Sequence, residues 1–436
     1  MAEVEAAQPD APEVAPPSSR VGRLLQGPLA LLRSGGFFDL LVAQMAPLAV
    51  SFGLTLVSAA LLGPELRGVL TFLMTGALLF GALAYGSLHV PVVEALRAKD
   101  RTGLRHGLRL MWVLAGSMTA VGLVLVLVGG AARDDVPSTV GTTGWALVGG
   151  AIVVTQLFTG RVLQGLARNR EYQVTIVVQS LLYLLGAGAM LLATRSPLPV
   201  FAAWYASVVL SVGLTSVLLH RHLQATGPWR WSGSPWRGFL RSATANNIGS
   251  IGQMVMLRAD VLVVGVLLGA TDAGIYGLAL SLTELALIVP EVFALSVFAS
   301  RARLDGPRWR DELDRSVRLN AGLGLLAAVA IAGAAVVLAL GPLADYDGLV
   351  PLVLIVLPGV FVAGYSRIAL SALQALGASS RVWMFGALAV ALSIGYVPAA
   401  ALGGTPGAAV MSTIAYTVTA VFLRSSLRSA LRGDVR

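Results

Sequence analysis

The chain is a succession of apolar runs of roughly 20 residues, separated by short stretches rich in arginine, glycine or proline. A run of that length spans the hydrocarbon core of a bilayer as one helix. The runs fall near 37–61, 69–93, 110–130, 141–160, 173–194 and 198–219, then near 243–268, 274–299, 321–341, 349–374, 382–401 and 405–423. The pattern therefore predicts an all-α membrane protein of about twelve transmembrane helices. Between the sixth and seventh runs lies 220–241, polar and basic, where Trp229, Trp231 and Trp236 suit a segment lying against lipid headgroups.

The basic residues alternate with the runs. If both termini are cytoplasmic, the inner connections carry clusters such as Arg97, Lys99, Arg101, Arg105 and Arg109, or Arg301, Arg303, Arg308, Arg310, Arg315 and Arg318. The outer connections hold Arg67, Arg133 and Arg195. The positive-inside rule asks for this split, and adding or removing one crossing would scramble it.

Two pairs of segments recur at nearly one offset. Leu61-Leu62-Gly63-Pro64-Glu65-Leu66-Arg67-Gly68 corresponds to Leu267-Leu268-Gly269-Ala270-Thr271-Asp272-Ala273-Gly274, and Leu163-Gln164-Gly165-Leu166 to Leu373-Gln374-Ala375-Leu376. Six crossings repeated in the same orientation imply two six-helix bundles related by a pseudo-twofold axis along the membrane normal, with a cleft between them. The expected organisation is a disordered cytoplasmic tail over 1–34, a first bundle over 35–222, a cytoplasmic linker over 223–240, a second bundle over 241–424 and a cytoplasmic tail over 425–436. The start, rich in proline and acid, lacks the basic-then-apolar order of a signal peptide.

Composition narrows the chemistry. Hydrophobic residues make up 56% and charged residues 12% of the 436, which leaves room for the crossings and no sizeable soluble domain. The formal charge of +9 sits in short connections instead of one stripe, which argues for helix orientation and against nucleic-acid binding. Zero cysteines exclude disulfides and thiolate chemistry. His89, His106, His220 and His222 are not at metal-ligand spacing with acids, and no phosphate-cradling Gly-Lys loop occurs, so neither a metal, a cofactor nor nucleotide hydrolysis is expected.

An ionisable side chain at bilayer depth needs a partner or a wet cavity, because its insertion costs at least ~2.5 kcal/mol. Arg258 and Asp260 in the seventh run, Glu284 in the eighth and Arg367 in the tenth are the candidates. On a helix, Asn247 and Arg258 lie about 20° apart, while Asn246, Gln253 and Asp260 form a second polar stripe. One reading places Arg258, Arg367 and Asn247 on a substrate and Asp260 and Glu284 on a coupling proton or sodium ion; the other pairs the charges with each other. Pro290 lies one residue before Glu291, where it breaks the helix as a kink or a hinge.

Leu257-Arg258-Ala259-Asp260-Val261-Leu262-Val263-Val264-Gly265, followed by Leu268-Gly269 and Ala273-Gly274-Ile275-Tyr276, resembles the seventh-span pattern of the polysaccharide transporter branch of the multidrug/oligosaccharidyl-lipid/polysaccharide exporter (MOP) superfamily, the group of Wzx-type flippases. The MOP fold implied is shared with the multidrug and toxic compound extrusion (MATE) transporters. Implied too are movement of a lipid-linked oligosaccharide across the cytoplasmic membrane by alternating access, an ion gradient as driving force, and envelope polysaccharide assembly enzymes as partners. Forked guanidinium donors at Arg258 and Arg367 would suit the diphosphate of such a cargo. The competing readings are a multidrug or organic-cation antiporter of the same superfamily, for which a pocket should be acidic and aromatic, a non-transporting scaffold in an envelope-assembly complex, and a membrane glycosyltransferase or polymerase using Asp345-Tyr346-Asp347. The last is disfavoured by an outer-loop position.

Overall fold

The computed structural model describes residues 35–129, 139–166, 168–225, 236–245, 248–301, 304 and 306–433. The chain divides at Met45; residues 35–45 are helical, and the compact unit considered below is Ala46–Arg436.

Among the described residues, nine helices are long and apolar enough to cross a membrane. Pro47–Tyr85, 39 residues long, crosses twice, because it bends back at Gly63 into α1 (47–62) and α2 (64–85). The next crossings are α4 (Arg101–Val128), α5 (Thr139–Gly165), α6 (Asn169–Thr194) and α7 (Pro197–Ala225). The second half contains α9 (Ile248–Leu267), then α10 (Ala270–Glu284) and α11 (Ile288–Ser300), which form one crossing across a 3₁₀ turn at Leu285–Leu287. It continues with α12 (Gly306–Leu340) and α13 (Leu349–Ala375). The eleventh crossing joins α14 (Ser379–Ile394) to α15 (396–403), the first arm of Tyr396–Gly433; the helix breaks at Gly404 and returns as α16 (405–433). The fold is thus the all-α, many-span membrane fold expected, with twelve crossings.

Two short helices do not cross. The apolar residues of α3 (His89–Arg97) extend the second run, but a turn precedes it and Glu94 and Arg97 share an exposed face opposite the buried Pro91, Val92, Val93 and Leu96, as in a helix lying against the bundle. α8 (Trp236–Ala245) packs on α3 and α4 through Phe239 and Ala243. His89 accepts or donates a hydrogen bond with the Tyr85 hydroxyl, and burial, aided by the Arg161 charge, pushes it down to about 4, so it is neutral at physiological pH.

The repeat seen in the sequence is a repeat of backbone geometry. Gly63 has φ 72°, ψ 173° and Gly269 has φ 103°, ψ −179°, a conformation that a side chain disfavours. Each reverses the chain between the first and second crossings of its half within one residue. The core of the second half is large and continuous, built around Tyr276, Phe385, Tyr416 and the α13 residues Val353, Val356 and Ile368. The first half has two smaller cores, one around Leu70, Leu73 and Trp204 and one around Val92, Phe158 and Leu163.

Candidate functional site

The two halves meet along α2 and α10, and they meet backbone to backbone. A Cβ at Gly68 would lie 1.7 Å from the Ala270 carbonyl oxygen, and one at Gly274 would lie 1.9 Å from that of Pro64. Pro64 and Gly68 stand where Ala270 and Gly274 stand 206 residues later, so the contact is self-complementary and the pseudo-twofold axis passes through it. Thr71 and Gly277, again equivalent, touch three residues further on: a Cβ at Gly277 would lie 2.4 Å from the Thr71 methyl carbon. Small residues let the helices approach without hydrogen-bonding across.

Beyond this crossing the seam continues through α9. A Cβ at Gly265 would meet the Phe72 ring at 2.7 Å, and one at Gly76 would meet Leu262 at 3.7 Å. The Tyr346 hydroxyl, from the connection before α13, donates to the Ala59 carbonyl of α1 at 3.0 Å. From Pro64 to Gly76 the seam runs about 18 Å at the helical rise. All of these contacts lie toward the arginine-poor end of the bundles.

The seam face of α9 passes through Leu262 and Gly265, and one turn before them the same face carries Arg258. On α10 the seam face passes through Ala270, Gly274 and Gly277, and seven residues later the same face carries Glu284. The helical period therefore brings the two charges together just past the seam, where Arg258 Nη2 donates to Glu284 Oε2 at 3.0 Å with side chains 28% and 25% exposed. Glu291, on α11, is ion-paired with Arg367 of α13. Pro290 beside it packs at Gly364, next to Asn320, a buried amide whose Oδ1 meets no donor among the described residues. Between the two acids the helix tightens into the 3₁₀ turn.

Asp260 lies two residues past Arg258 and faces the opposite way, into the core of the second half. It is fully buried. Its Oδ2 accepts from the Tyr276 hydroxyl at 2.9 Å and from the Ser412 hydroxyl at 2.8 Å, and its Oδ1 accepts from the Val261 N–H at 2.8 Å. Tyr396 donates to the Met256 carbonyl one turn away, and Tyr416 is buried in the same core. The carboxylate thus stands among three tyrosines with neutral hydrogen-bond partners.

Of the residues singled out from sequence, the structure joins Arg258 to Glu284, joins Arg367 to Glu291, and separates Asp260 from both pairs. Asn247 and Asn246 lie outside the described residues. Gln156 and Gln179 hydrogen-bond to each other between α5 and α6. No group of three or more histidine or acidic side chains suited to a metal occurs among the described residues. Arg67, which the charge count assigned to an outer loop, is buried in the first turn of α2. Its Nη2 donates to Thr55 Oγ1 at 3.5 Å, while Nε meets no acceptor among the described residues. The signal available for it was its register: it falls after Pro64, hence inside a helix.

No protein-family model and no curated protein matches the chain. Solved structures do. An outward-facing multidrug-resistance MATE transporter of the MOP superfamily matches over 90% of this chain and 94% of its own at 12% identity, with a TM-score of 0.61. A point mutant of the Vibrio cholerae MATE transporter VcmN matches over 91% and 96% at 16% identity, with a TM-score of 0.54. A MOP-superfamily transporter from Pyrococcus furiosus, described as having a binding pocket of reverse polarity that suggests a different function, matches over 91% and 92% at 14% identity, with a TM-score of 0.52. The two-bundle MATE/MOP architecture is established by these matches.

They also overturn the resemblance to the polysaccharide transporter branch. Structures of MATE-family multidrug transporters of the superfamily match nine-tenths of the chain. The physical reason for the misreading is that the seventh-span pattern belongs to the scaffold. Gly269 makes the hairpin, Gly274 makes the seam, Asp260 and Tyr276 bond to each other and Arg258 pairs with Glu284. None of these roles specifies a sugar lipid.

Proposed function

We propose that the protein is a secondary transporter that moves small organic solutes, organic cations foremost, across the cell membrane by alternating access in exchange for protons or sodium ions. The observation that carries alternating access is the seam: two like-built halves touch backbone to backbone around a pseudo-twofold axis, and the charged side chains begin where that contact ends. Parting the Gly68–Gly274 contact as the arginine-rich ends of the two halves approach each other would open the interface to one side of the membrane and close it to the other.

The cargo's charge follows from which charges are already matched. Arg258 and Arg367 each hold a glutamate, so neither is a free clamp for an anionic head. Asp260 has three neutral donors and tyrosines around it, the acidic and aromatic setting that suits a cation. Its surroundings also suit a change of protonation. As a carboxylate it accepts from both hydroxyls; once protonated it could donate to Ser412, whose hydroxyl also contacts that of Tyr276 at 3.0 Å and can turn. Asp260 is assigned the coupling site, inside the second half and on the opposite side of α9 from the Arg258–Glu284 pair that borders the interface.

The test is uptake of tetraphenylphosphonium into proteoliposomes under imposed proton and sodium gradients, with wild type and Asp260→Asn. Gradient-driven uptake by wild type and at least a roughly tenfold loss in the folded variant are expected, a coupling group being required in each cycle. Absence of gradient-driven uptake by folded wild type would sink the transporter reading for this cargo class. Equal rates for the two proteins would sink Asp260 as the coupling site.

A further inference from the structure

α4 and α7 both pack on α5, and between them they leave a groove of about 790 Å³ at the arginine-rich end of the first half. The groove belongs to neither the seam nor the ion pairs. Its walls are apolar over nearly all of their accessible surface, to which the arginines contribute chiefly their aliphatic stems. Arg101, Arg105 and Arg109 recur every four residues along the first two turns of α4, and His220 of α7 faces them across the groove. Immediately beyond Arg109 the lining becomes Trp112 and Val113, 64% and 65% exposed. From Arg101 to Trp112 is about 16 Å along the helix, enough to pass from headgroups into the acyl region.

An apolar groove that carries three arginines along two turns of α4 and then an outward-facing apolar turn matches one molecule in each part: a phosphate-bearing head with acyl chains attached. We propose that this groove is a binding site for an anionic phospholipid, its headgroup phosphate on Arg101, Arg105 and Arg109 and its chains along Trp112 and Val113. Charge complementarity selects the head, since a zwitterionic lipid offers the same phosphate but brings a choline or ethanolamine cation into an arginine cluster. The long arginine stems can lie along Leu104 and Leu108 while their guanidinium groups reach the interface. The three arginines also place the site in the leaflet on the arginine-rich side, whichever way the bundles are rocked.

The full chain, reconstituted into nanodiscs of phosphatidylcholine with a minor fraction of phosphatidylglycerol, would be extracted and its retained lipid measured by native mass spectrometry. The expected result is at least one retained phosphatidylglycerol per protein, enriched over its fraction in the bilayer. Replacing the three arginines together (R101Q/R105Q/R109Q) should lower that retention roughly tenfold or more, given the attraction of each basic side chain to an anionic surface. The control R424Q/R428Q/R432Q, on the same side of the membrane but outside the groove, should leave it unchanged. Equal retention of the two lipids by wild type would overturn the proposal, as would equal loss in both triple variants. Should the groove variant fail to fold, Arg105→Glu and Arg105→Lys take its place: Glu is expected to lose the enrichment and Lys to keep most of it, and indistinguishable results for the two overturn the site. Soluble glycerol phosphate displacing the retained lipid would instead mark a site for the phosphate alone and overturn the lipid assignment.

Discussion

Asp260 and Tyr276 in the second half stand where Leu54 and Leu70 stand in the first, and both pairs are buried in the cores of their halves. Arg258 and Glu284 likewise replace Phe52 and Leu78. The backbone of the repeat was kept at Gly63 and Gly269, at Gly68 and Gly274, while the side chains a few residues away diverged from hydrocarbon to charge. Motion and chemistry have separate requirements here. A rocking interface needs equal surfaces on both sides of the axis, whereas an ion site is needed once, and a second buried carboxylate would cost several kcal/mol for no added coupling. The first half keeps its own anomaly, Arg67, near Tyr183 and Tyr346 at the closed end of the seam.

The largest effect is expected from locking the shared surface. The chain has no cysteine, and a Cβ at Gly277 would lie 3.4 Å from Thr71 Cβ, close to the spacing of a disulfide. T71C/G277C should therefore oxidise spontaneously, abolish transport in proteoliposomes and recover it on reduction. If the oxidised protein transports at the wild-type rate, the seam does not open during the cycle.

Next comes overpacking of the same crossing. Gly274→Leu would drive a side chain into the Pro64 carbonyl, and a loss of stability at or above roughly 3 kcal/mol is expected, read as a fall in melting temperature and in monodisperse yield. Its equivalent Gly68→Leu should behave alike; a variant tolerated on one side alone would show that the contact is not symmetric.

The charge of the second half should matter less to folding than the seam. Glu284→Gln leaves Arg258 with a neutral acceptor and is expected to cost about 1–3 kcal/mol, moderated by the quarter exposure of the pair. The double change Arg258→Leu with Glu284→Leu, which makes this half resemble the first, should return most of that stability and still lack transport. A double variant as active as wild type would remove the pair from the pathway. The smallest effect belongs to the first half: Arg67→Met, removing a buried cation that pairs with no carboxylate among the described residues, should leave stability unchanged or raise it by about 1 kcal/mol.

The order of the crossings was legible because lipid imposes it. Apolar length, arginine between runs and the 206-residue repeat each report a local requirement, and the positive-φ glycines at 63 and 269 could be placed from the repeat alone. The boundary between α2 and α3 is hidden in the sequence because apolar residues run through both; what separates them is a turn at Gly86 and Ser87, both at positive φ. The branch resemblance failed for a related reason: residues that build the scaffold recur wherever the scaffold does.

The sequence by itself determined a membrane protein of two like halves and named Arg258, Asp260, Glu284 and Arg367 as charges in need of an explanation. Only the tertiary structure decided how they divide, with Glu291 drawn in as the partner of Arg367 and Asp260 left among tyrosines. Periodicity sets which residues share a face of one helix. Which face meets which neighbour depends on how closely the helices approach, and here that distance is fixed by glycines two turns from the charges themselves.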